Sequence, residues 1–337
     1  MDRRVSLLRI VACFMVILLH VSAENFHAFG EKWWAANFYD SLTRACVPIF
    51  FMISGANLLS KDETLGTFFR KRFLKIIPPL IFWSCFFLWW LAYNGVIIGS
   101  WDAWVVKILS GQTMFHLWYL YALVGLYALV PVLRKFYQHS SRKEHLAFIL
   151  LWFAVASVYP TIMALRNDTQ CGSLQLGLLA TQYHLTYFGG YIGYLLLGAY
   201  IADSRGSIMA GLAIFFSCSA ATMAVTYLWS RHLGGPCEFF YIYLSPLVVG
   251  ASYGLYTAFM GMKPGVPSRW VVAISDCTLG IYCIHIFMID PIFKVHAISA
   301  TIGNPWVTSL TTSIGVFTAS FLLIYILRLI KPLRYIT

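Results

Sequence analysis

Arg3-Arg4-Val5-Ser6-Leu7-Leu8-Arg9-Ile10-Val11-Ala12-Cys13-Phe14-Met15-Val16-Ile17-Leu18-Leu19-His20-Val21-Ser22-Ala23-Glu24 opens the chain. From Val5 to Val21 it is apolar except for Ser6, Arg9 and His20, about the length that crosses a bilayer as a helix. Two basic residues, an apolar run and Val21-Ser22-Ala23 imitate a secretory leader with its cleavage site. Arg9 interrupts that run and many more apolar windows follow, so the stretch reads as an uncleaved first span. An arginine and a histidine inside the slab are its costly features.

Working outward, composition agrees. Of 337 residues, 60% are hydrophobic and 11% charged, where soluble domains carry about a quarter charged. Windows of roughly 20 predominantly apolar residues fall near 5–22, 42–59, 77–98, 115–133, 146–165, 184–202, 208–229, 239–260, 270–289 and 306–328. The expected fold is all-α: a polytopic membrane helical bundle of about ten transmembrane helices, forming one domain over residues 1–337. With the N-terminus cytoplasmic, 18 of the 24 Lys and Arg residues fall in inner loops and ends. The positive-inside rule then puts both termini in the cytoplasm with an even number of spans. The net charge of +11 thereby has a topological cause, and no nucleic-acid partner is expected. No Cys-x-x-Cys or zinc-spaced cluster occurs among the eight cysteines, so no metal is expected. Cys171 and Cys237 both fall in outer loops, where an oxidising compartment permits a disulfide.

Arg9 and His20 are eleven residues apart, three turns plus about 20°, so they share a helix face roughly 16 Å apart. Both can line one cavity, and Glu24, one turn beyond His20, can orient the imidazole. The alternative is that Arg9 snorkels to headgroups and His20 bonds a neighbouring helix. Phe50-Phe51-Met52-Ile53-Ser54-Gly55 pairs two small residues with bulky ones, a packing signal. The basic run Phe69-Arg70-Lys71-Arg72-Phe73-Leu74-Lys75 stops at Pro78-Pro79, read as opening the third span. Arg72 and Lys75 share a face and can hold phosphates, or can be topogenic charge near anionic lipid. His116-Leu117-Trp118-Tyr119 reads first as an interfacial aromatic belt. Tyr282 and His285, three apart, share a face of the ninth span, as a polar site or as a helix-packing hydrogen bond.

In this order these stretches resemble the acyltransferase-3 family of bacterial membrane acyltransferases that decorate surface glycans. The resemblance rests on Arg-x10-His (Arg9, His20), Phe-Phe-x-x-Ser-Gly (Phe50 to Gly55), the basic stretch before Pro78, His-Leu-Trp-Tyr (116–119) and Gly-Ile-Tyr-x-x-His (Gly280 to His285). Lys75 stands where the family has a second arginine, which keeps the charge and loses the bidentate fork; Arg70 is placed to compensate. The resemblance implies a multi-pass protein of the bacterial inner membrane, acetyl-CoA as acyl-donor substrate with no permanently bound cofactor, and a sugar hydroxyl of O-antigen or a related lipid-linked or polymeric envelope glycan as acceptor.

On that basis the catalytic set is His20, Glu24 and Arg9, with Arg70, Arg72 and Lys75 at the coenzyme phosphates. His116, Trp118, Tyr119, Tyr282 and His285 are the expected substrate-binding set, stacking on the sugar or bonding a developing oxyanion. His20 takes the proton of the attacking hydroxyl, or is itself acetylated first. The rival reading is a transporter or flippase of a lipid-linked sugar or acyl group, in which the intramembrane charges bind or gate the cargo.

Overall fold

The computed structural model describes residues 2–96, 99–166, 171, 190–204, 206–294, 296 and 298–337. Its first helix, α1 (Arg3–Ala23), starts where the Asp2 carboxylate accepts the Arg4 backbone N–H, giving one of the four unpaired N–H groups of a helix start a partner. Thirteen α-helices make up the bulk of the described residues: α2 (Glu31–Thr43), α3 (Cys46–Leu58), α4 (Leu65–Tyr93), α5 (Trp101–Ser110), α6 (Trp118–His139), α7 (Arg142–Phe153), α8 (Tyr159–Arg166), α9 (Ile192–Ala202), α10 (Ile208–His232), α11 (Pro246–Met260), α12 (Arg269–Phe287) and α13 (Pro305–Leu329) follow α1. Their starts are legible locally: Ser141 and Glu144 form a reciprocal capping box on α7, and Asn304 caps α13 ahead of Pro305. Among the described residues there is no strand, and nine helical stretches are long and apolar enough to cross a membrane. The chain is an all-α polytopic helical bundle.

Three boundaries differ from the sequence reading. The second span starts at Glu31, well before residue 42, and breaks between α2 and α3; Asn37, Asp40 and Arg44 hide it from an apolar window, yet Asn37 and Asp40 are fully buried. The third starts at Leu65, and Pro78-Pro79 lie inside α4. Proline has a helix-compatible φ, and what it withholds is an N–H. The missing donors are those that would serve the carbonyls of Leu74 and Lys75, both of which border a polar cavity described below, where other partners can reach them. The window at 184–202 falls partly outside the described residues; α9 supplies its second half.

The central helix is α1, packed against α2, α3, α11, α12 and α13, with Leu8, Ala12 and Ile17 fully buried. It is a core span, as the uncleaved reading expects. A Cβ on Gly55 would overlap the Leu195 backbone, and one on Gly198 the Met52 backbone, so α3 and α9 touch main chain to main chain. The Ser54-Gly55 packing signal has this as its cause.

The ends sort by charge. At one end Arg3 N–H donates to the Gly265 carbonyl (2.8 Å), Arg4 to Met260 (2.9 Å), Arg134 to Leu58 and Glu63, and Trp83 to Ile336. At the other, Lys32 donates to Thr301, Asn25 to Ala300 and Tyr39 to Trp306, and Cys171 is disulfide-bonded to Cys237. Residues assigned to inner loops by counting Lys and Arg therefore meet each other, as do those assigned to outer loops.

Candidate active site

Arg9 occupies the first third of α1 and His20 its far end, on one face, and the structure gives each a different setting. Arg9 lines a cavity of about 530 Å³ at the basic end of the bundle. It donates to the Ser275 hydroxyl on α12 (3.4 Å). The cationic wall is completed by Lys71 and Lys75 from α4 and by Arg328 and Arg334 from the C-terminal segment, with Asp276 as the one carboxylate of the lining. Five cations against one carboxylate in a partly apolar recess favour an anionic ligand.

Arg70 and Arg72, expected at this site, stand elsewhere. Arg70 is exposed and outside the lining, and the Arg72 guanidinium lies 5.7 Å from the Phe68 ring. Helical phase explains the exchange: Lys71 and Lys75 are four apart and share a face, while Arg70 and Arg72 flank it. Lys71 also pairs with Glu63 at 2.6 Å, and that hydrogen bond holds the Glu63 carboxyl below the usual carboxylate range. Arg328, Arg334 and Lys71 had been visible only as inner-loop charge; nothing local in the sequence marks them as lining one cavity.

At its inner end the cavity meets Tyr119 and Tyr282, whose rings pack edge to face at 5.5 Å. Nearby, Ser54 and Tyr127 hydroxyls are 3.2 Å apart. Beyond the tyrosines three histidines converge. The His285 ring lies 5.2 Å from both His20 and His116, and Phe115 closes on His20 at 5.4 Å. His116 belongs to a 3-10 turn, Phe115–Leu117, folded into the core with its histidine only 1% exposed. The interfacial-belt reading of 116–119 is thereby replaced: Trp118 and Tyr119 pack on Phe51, Tyr191 and Tyr243.

Hydrogen bonds fix two tautomers. His116 Nε2 donates to the Cys283 carbonyl (3.0 Å) and His285 Nδ1 to the Tyr282 carbonyl (2.6 Å), because a carbonyl can only accept. The Tyr282 hydroxyl donates to the His116 carbonyl. In the neutral rings the other nitrogens, His116 Nδ1 and His285 Nε2, are bare lone pairs, buried and, among the described residues, without a hydrogen-bond partner. Buried acceptors of this kind call for a donor.

Glu24 does not join them. Its carboxylate accepts from Ser299 (3.0 Å) and pairs with Lys294 (3.2 Å). Although Glu24 keeps a helical backbone at the end of α1, its carboxylate is taken up by the cation and hydroxyl presented by the segment after α12. The neighbour placed to orient His20 is His285.

The bundle, its buried histidines and its cation-lined cavity define a polytopic membrane protein with a polar interior in which a cationic cavity adjoins a histidine cluster. The sequence model of the acyltransferase-3 family, described as an acyltransferase domain, matches residues 2–328, and the chain belongs to this family. It is a membrane acyltransferase. Neither the curated proteins nor the solved structures contain a match to it.

Proposed function

We propose that the protein transfers an acetyl group from acetyl-CoA to a sugar hydroxyl of O-antigen or a related envelope polysaccharide, in a bacterial inner membrane. The observation that carries this reading is the succession of a cation-lined cavity, a tyrosine pair at its lining and a histidine cluster in ring contact with Tyr282. Phosphates of the donor sit against Lys71, Lys75, Arg328 and Arg334, with Arg9 deeper in. The pantetheine arm passes Tyr119 and Tyr282, and the thioester carbonyl comes to rest beside His20.

There the hydroxyl oxygen attacks the carbonyl carbon, His20 accepts the hydroxyl proton, and the carbon–sulfur bond breaks. The proton then goes to the departing thiolate, so ester and free coenzyme A are formed with His20 restored. The free lone pairs of His116 Nδ1 and His285 Nε2 are acceptors for hydroxyl protons of the incoming sugar. Burial away from water protects the thioester from hydrolysis.

His20→Ala tests this. Acetyl groups on purified envelope glycan, followed by NMR, should disappear in a well-expressed His20→Ala strain, and full acetylation there removes the catalytic role. Purified protein in liposomes addresses the carrier alternative: coenzyme A release dependent on acceptor marks an enzyme, and sugar movement without it marks a flippase.

A further inference from the structure

At the end of the bundle opposite the basic cavity lies a second recess of about 360 Å³, which the acyl chemistry above leaves unused. Its wall carries Arg44, Trp118, Tyr191, Glu238, Tyr241 and Tyr243. The Trp118 and Tyr243 rings are near-parallel, 23° apart with centroids at 5.6 Å, and Tyr191 flanks Trp118 at 5.4 Å. The Cys171–Cys237 disulfide borders the recess, pinning the segment that carries Glu238.

Arg44 is the unusual member. It is nearly enclosed, faces Asp40 at 3.4 Å and lies 4.5 Å from the Tyr241 ring. Asp40 is fully buried and accepts from Ser22 on α1 (3.2 Å), two residues after His20. Among the described residues, Arg44 Nε and Asp40 Oδ2 are buried with no hydrogen-bond partner beyond their own ion pair, and Asp40 stands behind the recess wall, outside its lining. A buried ion pair is expensive, and more so when it leaves a donor and an acceptor unmade. What the recess itself presents is the Arg44 side chain, the exposed Glu238 carboxylate and the aromatic rings, so that a cation and an anion share one wall.

We propose that this recess binds the acceptor, and that it selects an uncharged pyranose ring. Vicinal hydroxyls each donate and accept, which suits the Arg44 guanidinium and the Glu238 carboxylate on the recess wall. Flat aromatic faces suit the apolar face of a sugar ring. Arg44, Asp40 and Glu238 together carry one net negative charge, which disfavours a uronate or sugar phosphate at this position. Through Ser22 and Asp40 the recess is tied to the same helix that carries His20, so ring and base are held by one element. The sugar class rests on the acetyl-transfer reading, while occupancy of the recess can be tested apart from it.

The experiment uses the full chain in nanodiscs and saturation-transfer NMR. Probes are the methyl glycosides of glucose, galactose, mannose and rhamnose, against methyl glucuronide and glucose 6-phosphate. At least one neutral probe should receive transfer and the charged probes should not. Glu238→Gln, at the exposed rim, and Trp118→Phe should each weaken that signal, and Arg44→Lys, which keeps a charge for Asp40, should reduce affinity about tenfold, as loss of one charge-assisted hydrogen bond implies. Acetyl-CoA binding, titrated in the same nanodiscs, should be unchanged in all three. Preference for the charged probes, or a neutral signal indifferent to all three substitutions, overturns the proposal. Acetyl-CoA bound with no sugar probe bound overturns this inference and leaves acyl transfer standing. Sugar bound with no acetyl-CoA bound does the reverse.

Discussion

Three histidines that the sequence placed on three different segments share one buried cluster, and their hydrogen bonds decide what each can do. With His285 Nδ1 committed to Tyr282, its Nε2 is left as an acceptor in ring contact with His20. A neutral imidazole placed there can take a hydrogen bond from a singly protonated His20, and so hold the His20 lone pair toward the substrate. His285→Phe is accordingly expected to cut acceptor-dependent coenzyme A release by about a hundredfold, with donor KM little changed. Glu24→Gln should leave the rate within about twofold, because Glu24 serves a partly exposed pair with Lys294 and such pairs contribute little. The opposite ranking would return Glu24 to the catalytic set. His20 and His285 were singled out from sequence as polar groups within spans and His116 as part of an interfacial belt, but their meeting was not legible, because contacts between residues 20, 116 and 285 belong to tertiary packing. Glu24 was set beside His20 by helical periodicity alone, and its carboxylate is engaged by Ser299 and Lys294, partners from a distant segment that no local pattern announces.

At the scale of elements, the cationic wall of the basic cavity draws on pieces with no shared sequence signal: Arg9 on α1, the basic face of α4, the end of α13 and the segment after it. That segment, Lys331–Tyr335 as a 3-10 turn followed by Ile336 and Thr337, is fastened by Trp83 donating to Ile336 (2.8 Å) and Arg328 to Thr337 (2.7 Å). Arg334 enters the cavity from it. Arg334→Gln is expected to raise KM for acetyl-CoA about five- to tenfold with kcat unchanged, since it removes binding made equally in ground and transition states. With acetyl-pantetheine, which lacks the nucleotide phosphates, the same variant should match the parent. An equal loss with both donors would show a structural role only. The α3–α9 contact makes a sharper demand. Gly55→Ala sets a methyl into the Leu195 backbone, which no rotamer change relieves, so a loss of about 3 kcal/mol or more in stability is expected, read as reduced thermal stability in detergent. The run Phe50 to Gly55 was legible as a packing element for this reason: a small residue at a close crossing leaves a trace in one helix alone. The donor cavity leaves none, because topogenic cations and ligand-binding cations look alike until the helices that carry them are packed together.

On the scale of the whole molecule, the two cavities lie at opposite ends of the bundle, with His20 and the tyrosine pair between them. On the proposed reading, a donor met at one end and an acceptor at the other need no carrier cycle, since only the acyl group has to pass the histidines between them. This arrangement depends on the orientation inferred from counting Lys and Arg, which fixes the basic cavity on the cytoplasmic side. The structure groups Lys61, Glu63 and Arg134 at that end and Lys32, Asn25 and Thr301 at the other. Lys61→Cys and Lys32→Cys, treated with a membrane-impermeant maleimide on intact spheroplasts, should separate cleanly. Lys32→Cys should be labelled from outside, and Lys61→Cys only after lysis; the unaltered chain serves as the blank for its free cysteines, of which Cys13, Cys46, Cys277 and Cys283 are buried. Labelling of Lys61→Cys from outside would invert the molecule and place the cationic cavity where no coenzyme A is available. Labelling of both from outside would mean that the two ends do not face opposite compartments. In either case a donor cavity reached from the cytoplasm would have to be abandoned, although the helix packing that defines the bundle would be unaffected.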